Sequence, residues 1–271
     1  MIDLSVIIVS YNTKKLLGEC LESVFQSQGP KFQIEVTVVD NGSTDGSMEM
    51  VRRKYKAVKV IENEKNLGFA KAVNQGFKQS QGRNLLLLNS DAEIQPQALE
   101  KLFEFEKKVG PAIIGAKMLN PDGTVQASVF NLPTAKRAVE EFWFGKDKAF
   151  SKYAPAWEKP VAVEAVSGGA MLISGAIIKK IGLFDERYFM YYEDLDFCRR
   201  AKKAGYKIWY LPEATVIHYH GASGRQLASP ETQWKRLIPS SKIYHGAIRH
   251  WLITQIIKVG QLVGKSGKSE K

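Results

Sequence analysis

The chain has 271 residues, of which 44% are hydrophobic and 25% are charged. These values are typical of a globular protein and exclude a disordered or fibrous chain. Lys and Arg outnumber Asp and Glu by 39 to 28, a net charge of +11 that favours an acidic partner such as a nucleotide, nucleic acid or anionic membrane. Residues 232–271 hold eight basic residues and one acidic residue, so the preceding chain is nearly balanced.

Short apolar runs alternate with segments of helical periodicity through the first half of the chain. This alternation predicts an α/β fold with a mostly parallel central sheet flanked by helices. Thr13 is a possible cap of the first helix. The predicted strands are 4–9, 34–39, 58–61, 85–88 and 112–116, and the predicted helices are 16–25, 45–55, 68–80 and 96–108.

Polar residues follow three of these strands directly. Ligands of such sheets bind beyond the carboxyl ends of the strands, so these side chains could converge on one crevice. The alternative is that they form turns and cap helices, as Asn, Asp and Ser often do. The residues are Ser10, Tyr11 and Asn12 after the first strand, Asp40 and Asn41 after the second, and Asn89, Ser90 and Asp91 after the fourth.

The alternating pattern stops at residues 120–165, a segment with several prolines and scattered aromatic residues. We will call this segment the insert. It could be a lid or substrate-binding element, or a poorly packed connection. Strand character returns over 163–173 around Gly168 and Gly169, and glycines inside a strand indicate a bulge or a backbone that approaches a ligand closely.

Three carboxylates, Glu193, Asp194 and Asp196, lie at the start of a predicted helix. The helix dipole stabilises acidic residues in a first turn, which is a structural reason for their presence. Alternatively, mutual repulsion and desolvation by the aromatic residues of 189–192 raise the proton affinity of one carboxylate and make it a general base.

His218 follows two apolar runs, 207–211 and 214–217. A histidine in this position could be a buried core residue. It could also complete a site for Mg²⁺ or Mn²⁺ with Asp91, in which diphosphate oxygens fill the remaining positions. The sequence spacing does not show whether these two side chains meet.

Seven motifs, in this order, resemble those of the inverting family-two glycosyltransferases with the GT-A fold. The resemblance covers about residues 4–224 and is strongest to the rhamnosyltransferase-like branch. It implies a GT-A domain over 1–231, with a nucleotide-binding half over about 1–118 and an acceptor-side half over about 119–231. The motifs are SVIIVSYN, VVDNGSTDGS, NLGFAKAVNQG, LLLLNSDAEI, VSGGAMLI, FMYYEDLDFCRRAKKAGY and VIHYHGAS.

The resemblance also implies roles for residues that bind the nucleotide-diphosphate sugar. It places the nucleotide base near the ends of the first two strands and the nucleoside beside the Asn-Leu-Gly segment. Gly168 and Gly169 would let the backbone pass close to the donor sugar or the acceptor. The implied donor-binding residues are Ser10, Tyr11, Asn12, Asp40, Asn66, Gly68, Lys71, Asn89, Ser90, Gly168 and Gly169.

The family's Asp-any-Asp metal motif aligns with Asn89-Ser90-Asp91, so an amide replaces its first carboxylate. The resemblance implies that Asp91 and His218 bind Mg²⁺ or Mn²⁺ and that Asn89 reaches the ribose or the ion through a neutral oxygen. It also implies that Asp194 is the catalytic base, with Glu193 as a supporting group.

The last 40 residues, 232–271, form a basic tail. Within it, 242–263 predicts an amphipathic helix with an apolar stripe and flanking cations, which suits an anionic membrane surface. Packing on its own domain or on a second subunit is the alternative, and nucleic acid is disfavoured. The predicted stripe is Ile243, Ala247, Ile248, Trp251, Leu252, Ile256 and Val263, and the cations are Lys242, Arg249 and Lys258.

The sequence therefore predicts an enzyme that moves a sugar, possibly rhamnose from dTDP-rhamnose, to a saccharide or lipid-linked acceptor in cell-surface polysaccharide synthesis. A nucleotidyltransferase is a second hypothesis, although the chain has no glycine before Gly18 to form a phosphate loop. A non-catalytic nucleotide- or carbohydrate-binding module is a third.

Two cysteines outside any metal spacing, no signal-peptide pattern and no long apolar run predict a cytoplasmic protein, possibly peripheral on the inner face of the cell membrane and possibly a homodimer.

Overall fold

The structure, a computed structural model, describes residues 2–29, 32–219 and 230–266, and the side chains of all of these except 230–235 and 263–266. The strands are β1 (Leu4–Ser10), β2 (Ile34–Asp40), β3 (Lys59–Glu62), β4 (Asn84–Asn89), β5 (Ala92–Ile94), β6 (Ala112–Leu119), β7 (Val129–Phe130), β8 (Val161–Val163), β9 (Ala165–Val166), β10 (Ala170–Ser174) and β11 (Lys207–His218). The helices are α1 (Lys14–Gln26), α2 (Ser47–Lys54), α3 (Phe69–Gln79), α4 (Ala98–Val109), α5 (Ala135–Phe142), α6 (Gly175–Ile181), α7 (Glu193–Lys203), α8 (Pro230–His245) and α9 (Ala247–Ser266).

A nine-stranded mixed sheet organises the fold, in the order β3-β2-β1-β4-β10-β6-β11-β5, with β8 beside β11. Strands β3, β2, β1 and β4 are mutually parallel, as are β6 and β11. Strand β10 lies antiparallel between these two sets. The prediction of a mostly parallel sheet flanked by helices is therefore confirmed.

Both faces of the sheet are buried, which explains why its central strands read as continuous apolar runs. Along β4, Leu86 and Leu88 join the apolar cluster on one face, and Leu85 and Leu87 join the cluster on the other. Burial is equally complete for the thiols of Cys20 and Cys198, neither of which forms a disulfide. Desolvation raises the pKa of Cys198 to about 12, as expected for an inert core thiol.

Three local predictions were wrong in detail. The run 163–173 is three short strands rather than one, because a turn at Ser167–Gly169 separates β9 from β10. The runs 207–211 and 214–217 are one strand, β11, whose pairing with β6 shifts between Leu211 and Thr215. Thr13 occupies the N-cap position of α1, but its side chain does not cap the helix.

The tail is divided into two helices rather than one. Gly246, with φ of 78°, separates α8 from α9, because a left-handed residue interrupts a right-handed helix. One face of α9 packs on α5: a Cβ at Gly260 would lie 2.6 Å from the Phe142 carbonyl oxygen, and the Trp143 indole donates to the Ile256 carbonyl at 2.9 Å.

The other face of α9 is exposed. Of the predicted apolar stripe, Ile248, Trp251 and Leu252 lie on this exposed face, whereas Ile256 is partly buried. Val263 lies outside the described side chains. In the described part of the chain, no helix combines the length and the apolar character that crossing a bilayer requires.

Candidate active site

A cavity of about 700 Å³ opens at the carboxyl ends of β1 and β4. The register of the sheet creates it, because β1 pairs Ser10 with Asp40 of β2 and Val9 with Asn89 of β4. The three strand ends are therefore side by side, as the sequence predicts. The predicted site residues that line the cavity are Ser10, Tyr11, Asn66, Asn89, Ser90, Asp91, Gly168, Gly169, Glu193, Asp194 and His218.

Four other predicted residues lie near the cavity without lining it. The Asp40 carboxylate is buried and accepts hydrogen bonds from the Ser43 backbone N–H and hydroxyl, while Asn12 accepts one from the Thr44 N–H at 2.8 Å. Gly68 has φ of 89°, and Lys71 is exposed on α3. Contact between these four residues and a nucleotide remains a prediction.

Thr13 joins the first and fourth strand ends. Its buried hydroxyl donates to the Ser90 hydroxyl at 2.9 Å, and the Ser10 hydroxyl lies 3.1 Å away on its other side. Sequence reasoning assigned Thr13 only to helix capping. No local signal separates the two roles, since Ser90 is 77 residues distant.

Asp91 and His218 meet in the wall of the cavity, which the sequence spacing alone does not show. His218 Nε2 lies 3.2 Å from Asp91 Oδ1, and both side chains are almost completely buried. The Asn89 amide nitrogen donates to the same Nε2 at 3.0 Å. The imidazole, carboxylate and amide of the predicted metal motif therefore share one small volume.

Gln126, from the insert, determines which nitrogen of His218 carries the proton. Its amide nitrogen donates to the Asn120 side chain and to the His218 carbonyl, so its oxygen must face His218 Nδ1, 2.7 Å away. That oxygen can only accept, so Nδ1 carries the proton. Nε2 then uses its lone pair to accept from Asn89, and it lies 3.2 Å from Asp91 Oδ1.

An imidazole nitrogen and a carboxylate oxygen are ligand types that one divalent cation can share, and a cation between these two atoms, 3.2 Å apart, would take the place of the Asn89 donor at Nε2. Sequence reasoning did not identify Gln126, because it occupies the irregular insert and reaches His218 across 92 positions.

Glu193, which is buried, and Asp194, which is half-buried, lie in the first turn of α7 and line the same cavity. Burial raises the pKa of both carboxyls, and the charge of Asp194 raises the pKa of Glu193 further. Asp194 accepts hydrogen bonds from the N–H groups of Gly168 at 3.2 Å and Leu195 at 2.8 Å, which favour its ionised form. When the pair holds one proton, the proton therefore resides on Glu193 and the charge on Asp194.

Asp196, the third carboxylate of the sequence cluster, has a structural role. It pairs with Arg199 at 2.6 Å and with Arg200 at 2.8 Å. Arg200 also donates to the carbonyls of Ile181 and Leu183, so Asp196 joins α7 to the segment after α6.

A strained loop positions the Glu193–Asp194 pair. Tyr191 and Tyr192 both have positive φ, 69° and 68°, a conformation that costs of order 1 kcal/mol or more for each non-glycine residue. Contacts from elsewhere hold the loop: Phe69 N–H donates to the Phe189 carbonyl at 2.7 Å, and the Ser240 hydroxyl of α8 donates to the Met190 carbonyl at 2.7 Å.

The insert supplies much of the remaining wall, so it is more than a connection. Its cavity-lining residues are Phe130, Pro133, Phe142, Phe150, Ser151 and Lys152, and Leu237 of α8 joins them. Sequence reasoning assigned a possible lid to the insert but did not single out Lys152, a lysine among many on a basic chain.

The mixed sheet, with a cavity at its strand ends, is the fold of a glycosyltransferase of the GT-A class. The family model "Glycosyl transferase family 2" matches residues 5–157. The chain belongs to this family and resembles its rhamnosyltransferase-like branch.

Two curated relatives illustrate the resemblance. The chain is 30% identical over 247 residues to N-acetylglucosaminyl-diphospho-decaprenol L-rhamnosyltransferase of Mycobacterium tuberculosis. This alignment covers 83% of this chain and 79% of that protein. It is 26% identical over 231 residues to the low-salt glycan biosynthesis hexosyltransferase Agl10 of Haloferax volcanii, covering 80% of this chain and 67% of that one.

Solved structures share the fold at lower identity. GalNAc-T7, crystallised with UDP, GalNAc and Mn²⁺, has a TM-score of 0.64 at 18% identity over 80% of this chain. TarS of S. aureus has a TM-score of 0.59 at 22% identity over 94% of this chain. The chain spans less than half of each of these two proteins, at 44% and 42% of their lengths.

The buried carboxyl pair predicts a pH-dependent stability. Folding raises the pKa of Glu193, so the protonated form of Glu193 stabilises the folded state. This stabilisation is fully present below the ordinary glutamate pKa and is lost as the pH rises through the folded-state pKa. Glu193→Gln mimics the neutral form. We expect it to raise the unfolding temperature by about 2 °C or more at about pH 8, and by much less at about pH 5.

The measurement is thermal unfolding in a metal chelator at both pH values. Glu64→Gln, at an exposed position, is the matched control and should change neither value. An equal shift from Glu193→Gln at both pH values would contradict the assignment of the proton to Glu193.

Proposed function

We propose that this protein transfers a sugar from a nucleotide-diphosphate donor to an acceptor hydroxyl with inversion of the anomeric centre. The observation that carries the proposal is that Asp194 lines the same cavity as Asp91 and His218. Inversion requires a base and a leaving-group site on opposite faces of the sugar. A single base suffices, because no covalent glycosyl intermediate has to form.

Asp194 is the proposed base. Its raised pKa, caused by burial, increases its affinity for the acceptor proton, while the N–H groups of Gly168 and Leu195 keep it oriented and ionised. Glu193, which holds a proton in this arrangement, supports Asp194 without competing for the acceptor proton.

Asp91 and His218 would hold a Mg²⁺ or Mn²⁺ ion, and the chemistry of their donor atoms fits it. In the described part of the chain, no three His, Cys, Asp or Glu side chains converge as a metal cage. Two protein ligands with diphosphate oxygens and water suit these cations. When bound, the ion neutralises charge that develops on the departing diphosphate. The Mn²⁺ in the GalNAc-T7 structure supports this proposal.

The acceptor is proposed to be a saccharide or a lipid-linked saccharide in cell-surface polysaccharide synthesis. The named activity of the mycobacterial relative supports this class and supports rhamnose, from dTDP-rhamnose, as the first donor to test. Thermal stabilisation and donor consumption across a panel of nucleotide sugars will identify the donor.

Asp194→Asn removes the base and retains the shape of the side chain. We expect the rate of transfer to fall by about 10²-fold or more, because proton transfer contributes that much to catalysis, while nucleotide affinity stays within about threefold. Transfer assays and calorimetric nucleotide binding measure the two effects. Asp147→Asn, at an exposed position of the insert, is the control. Near-wild-type turnover by Asp194→Asn would remove Asp194 from the role of base.

Gln126→Leu tests the metal site without relying on turnover. Loss of the Gln126 oxygen frees the His218 ring to adopt the other tautomer, so we expect Mn²⁺ affinity, measured by electron paramagnetic resonance, to fall about 10- to 100-fold. Gln81→Leu, at an exposed turn, is the control. Unchanged Mn²⁺ affinity would contradict the tautomer assignment, and full transfer activity of chelated wild-type protein would contradict the metal requirement.

The exposed face of α9 is proposed to bind an anionic membrane surface. Ile248, Trp251, Leu252, Val259 and Leu262 are all exposed and recur at helical spacing. Arg249 and Lys258 are exposed on the same helix. An apolar stripe that contains Trp and is flanked by cations is typical of helices that lie in the interface of an anionic bilayer. The same face could serve a homodimer, which is the competing outcome.

Trp251→Ser combined with Ile248→Ser removes the centre of this stripe and leaves the face that packs on α5 intact. We expect binding to liposomes that contain phosphatidylglycerol to fall at least fivefold in sedimentation assays, because buried apolar area drives such binding. Trp157→Ser, at an exposed position of the insert, is the control. Unchanged sedimentation with loss of a dimer in light scattering would assign the face to self-association instead.

A further inference from the structure

One wall of the cavity is apolar except for Ser151 and a single cation. The insert and α8 supply the apolar side chains, from Phe130, Pro133, Phe142, Phe150 and Leu237. Lys152, also from the insert, lines the same cavity and is the one Lys or Arg among the described residues that do so. The cavity otherwise carries carboxylates, at Asp91, Glu193 and Asp194, so this cation differs from its surroundings.

Contacts within the protein compensate the charge of the Lys152 ammonium only in part. It lies 5.7 Å from the centroid of the Phe130 ring, at the outer range of a cation–π contact. Lys146 and Lys148, in the same insert, lie within 4 Å of a carboxylate, whereas no carboxylate of the described chain is that close to Lys152. Burial lowers the pKa of Lys152, and the charge of Asp194 opposes this effect. An anion bound here would therefore stabilise the buried ammonium.

Asp194 does not need Lys152 to hold its place. Each of its carboxylate oxygens already accepts a backbone N–H, from Gly168 and from Leu195. Lys152 and Asp194 nevertheless line the same cavity, and the charge of Asp194 acts on the pKa of Lys152. The cation thus belongs to the cavity in which an acceptor hydroxyl would be deprotonated, and apolar side chains of the insert line that cavity with it.

We propose that Lys152 and this apolar wall form a subsite for an acceptor whose sugar is joined through phosphate to an isoprenoid chain. Lys152 would bind the phosphate, and Phe142, Phe150 and their neighbours would contact the first isoprene units. The proposal rests on the proposed function and narrows its acceptor. A cation next to apolar rings matches an amphiphilic anion better than it matches a neutral saccharide.

The test measures binding of farnesyl phosphate to the full chain by calorimetry, below the critical micelle concentration and in a metal chelator. The chelator prevents a cation at Asp91 and His218 from recruiting the phosphate. We expect wild-type protein to bind farnesyl phosphate at least tenfold more tightly than farnesol or inorganic phosphate. Lys152→Met should bind farnesyl phosphate no more tightly than farnesol, whereas Lys152→Arg should retain the higher affinity for farnesyl phosphate.

Lys159→Met is the matched control, since Lys159 is an exposed lysine of the same insert, and it should bind as wild type does. Phe142→Ala should remove the advantage over inorganic phosphate. If Lys152→Met unfolds, Lys152→Gln replaces it. Equal binding by wild type and Lys152→Met, or no preference of wild type for farnesyl phosphate, would overturn the proposal.

Thermal stabilisation by nucleotide sugars, measured on the same preparations, separates this inference from the proposed function. Stabilisation by a nucleotide sugar without farnesyl phosphate binding would reject the subsite and leave the transferase assignment in place. Failure of both measurements would reject the transferase assignment itself.

Discussion

The alignment of β1 with its two parallel neighbours is the constraint on which the site depends. Because Ser10 pairs with Asp40 and Val9 pairs with Asn89, three strands end at the same level and turn outwards together. A slip of one residue in either pairing would reverse which side chains face the helices and would separate these ends. A slip of β4 by one residue would also bring Asn84 or Asn89 to a level that a buried leucine now occupies.

The chemistry is divided between the ends of strands and the start of helix α7. Asp91 and His218 belong to strand ends, whereas Asp194 begins a helix that is held in place by a strained loop and by α8. The tail therefore reaches the site through Ser240, and Arg199 of α7 donates in turn to the Tyr244 carbonyl. In this arrangement, the element with most of the excess positive charge also helps to position the base.

The sequence predicted the features that local chemistry encodes. Apolar periodicity located the strands and helices, and the polar residues after each strand indicated the crevice. The motif resemblance added the roles of Asp91, Asp194 and His218. It also named Lys71, which the structure leaves exposed on α3.

The remaining features depend on contacts between distant parts of the chain. Gln126 and Lys152 acquire their roles only after the insert folds over the cavity, and Thr13 only after β1 and β4 pair. The periodicity of the tail did not reveal the break at Gly246, because the apolar spacing continues across it, while a single left-handed residue ends the helix.

The stereochemistry of transfer tests the account most directly. Once a donor is identified, proton NMR of the product reports the configuration at the anomeric carbon of the new glycosidic bond. A site with one base, Asp194, opposite the leaving diphosphate predicts a product inverted relative to the donor. A product with retained configuration would contradict the account, because it would require a nucleophile or a donor orientation that this arrangement of Asp194, Asp91 and His218 does not provide.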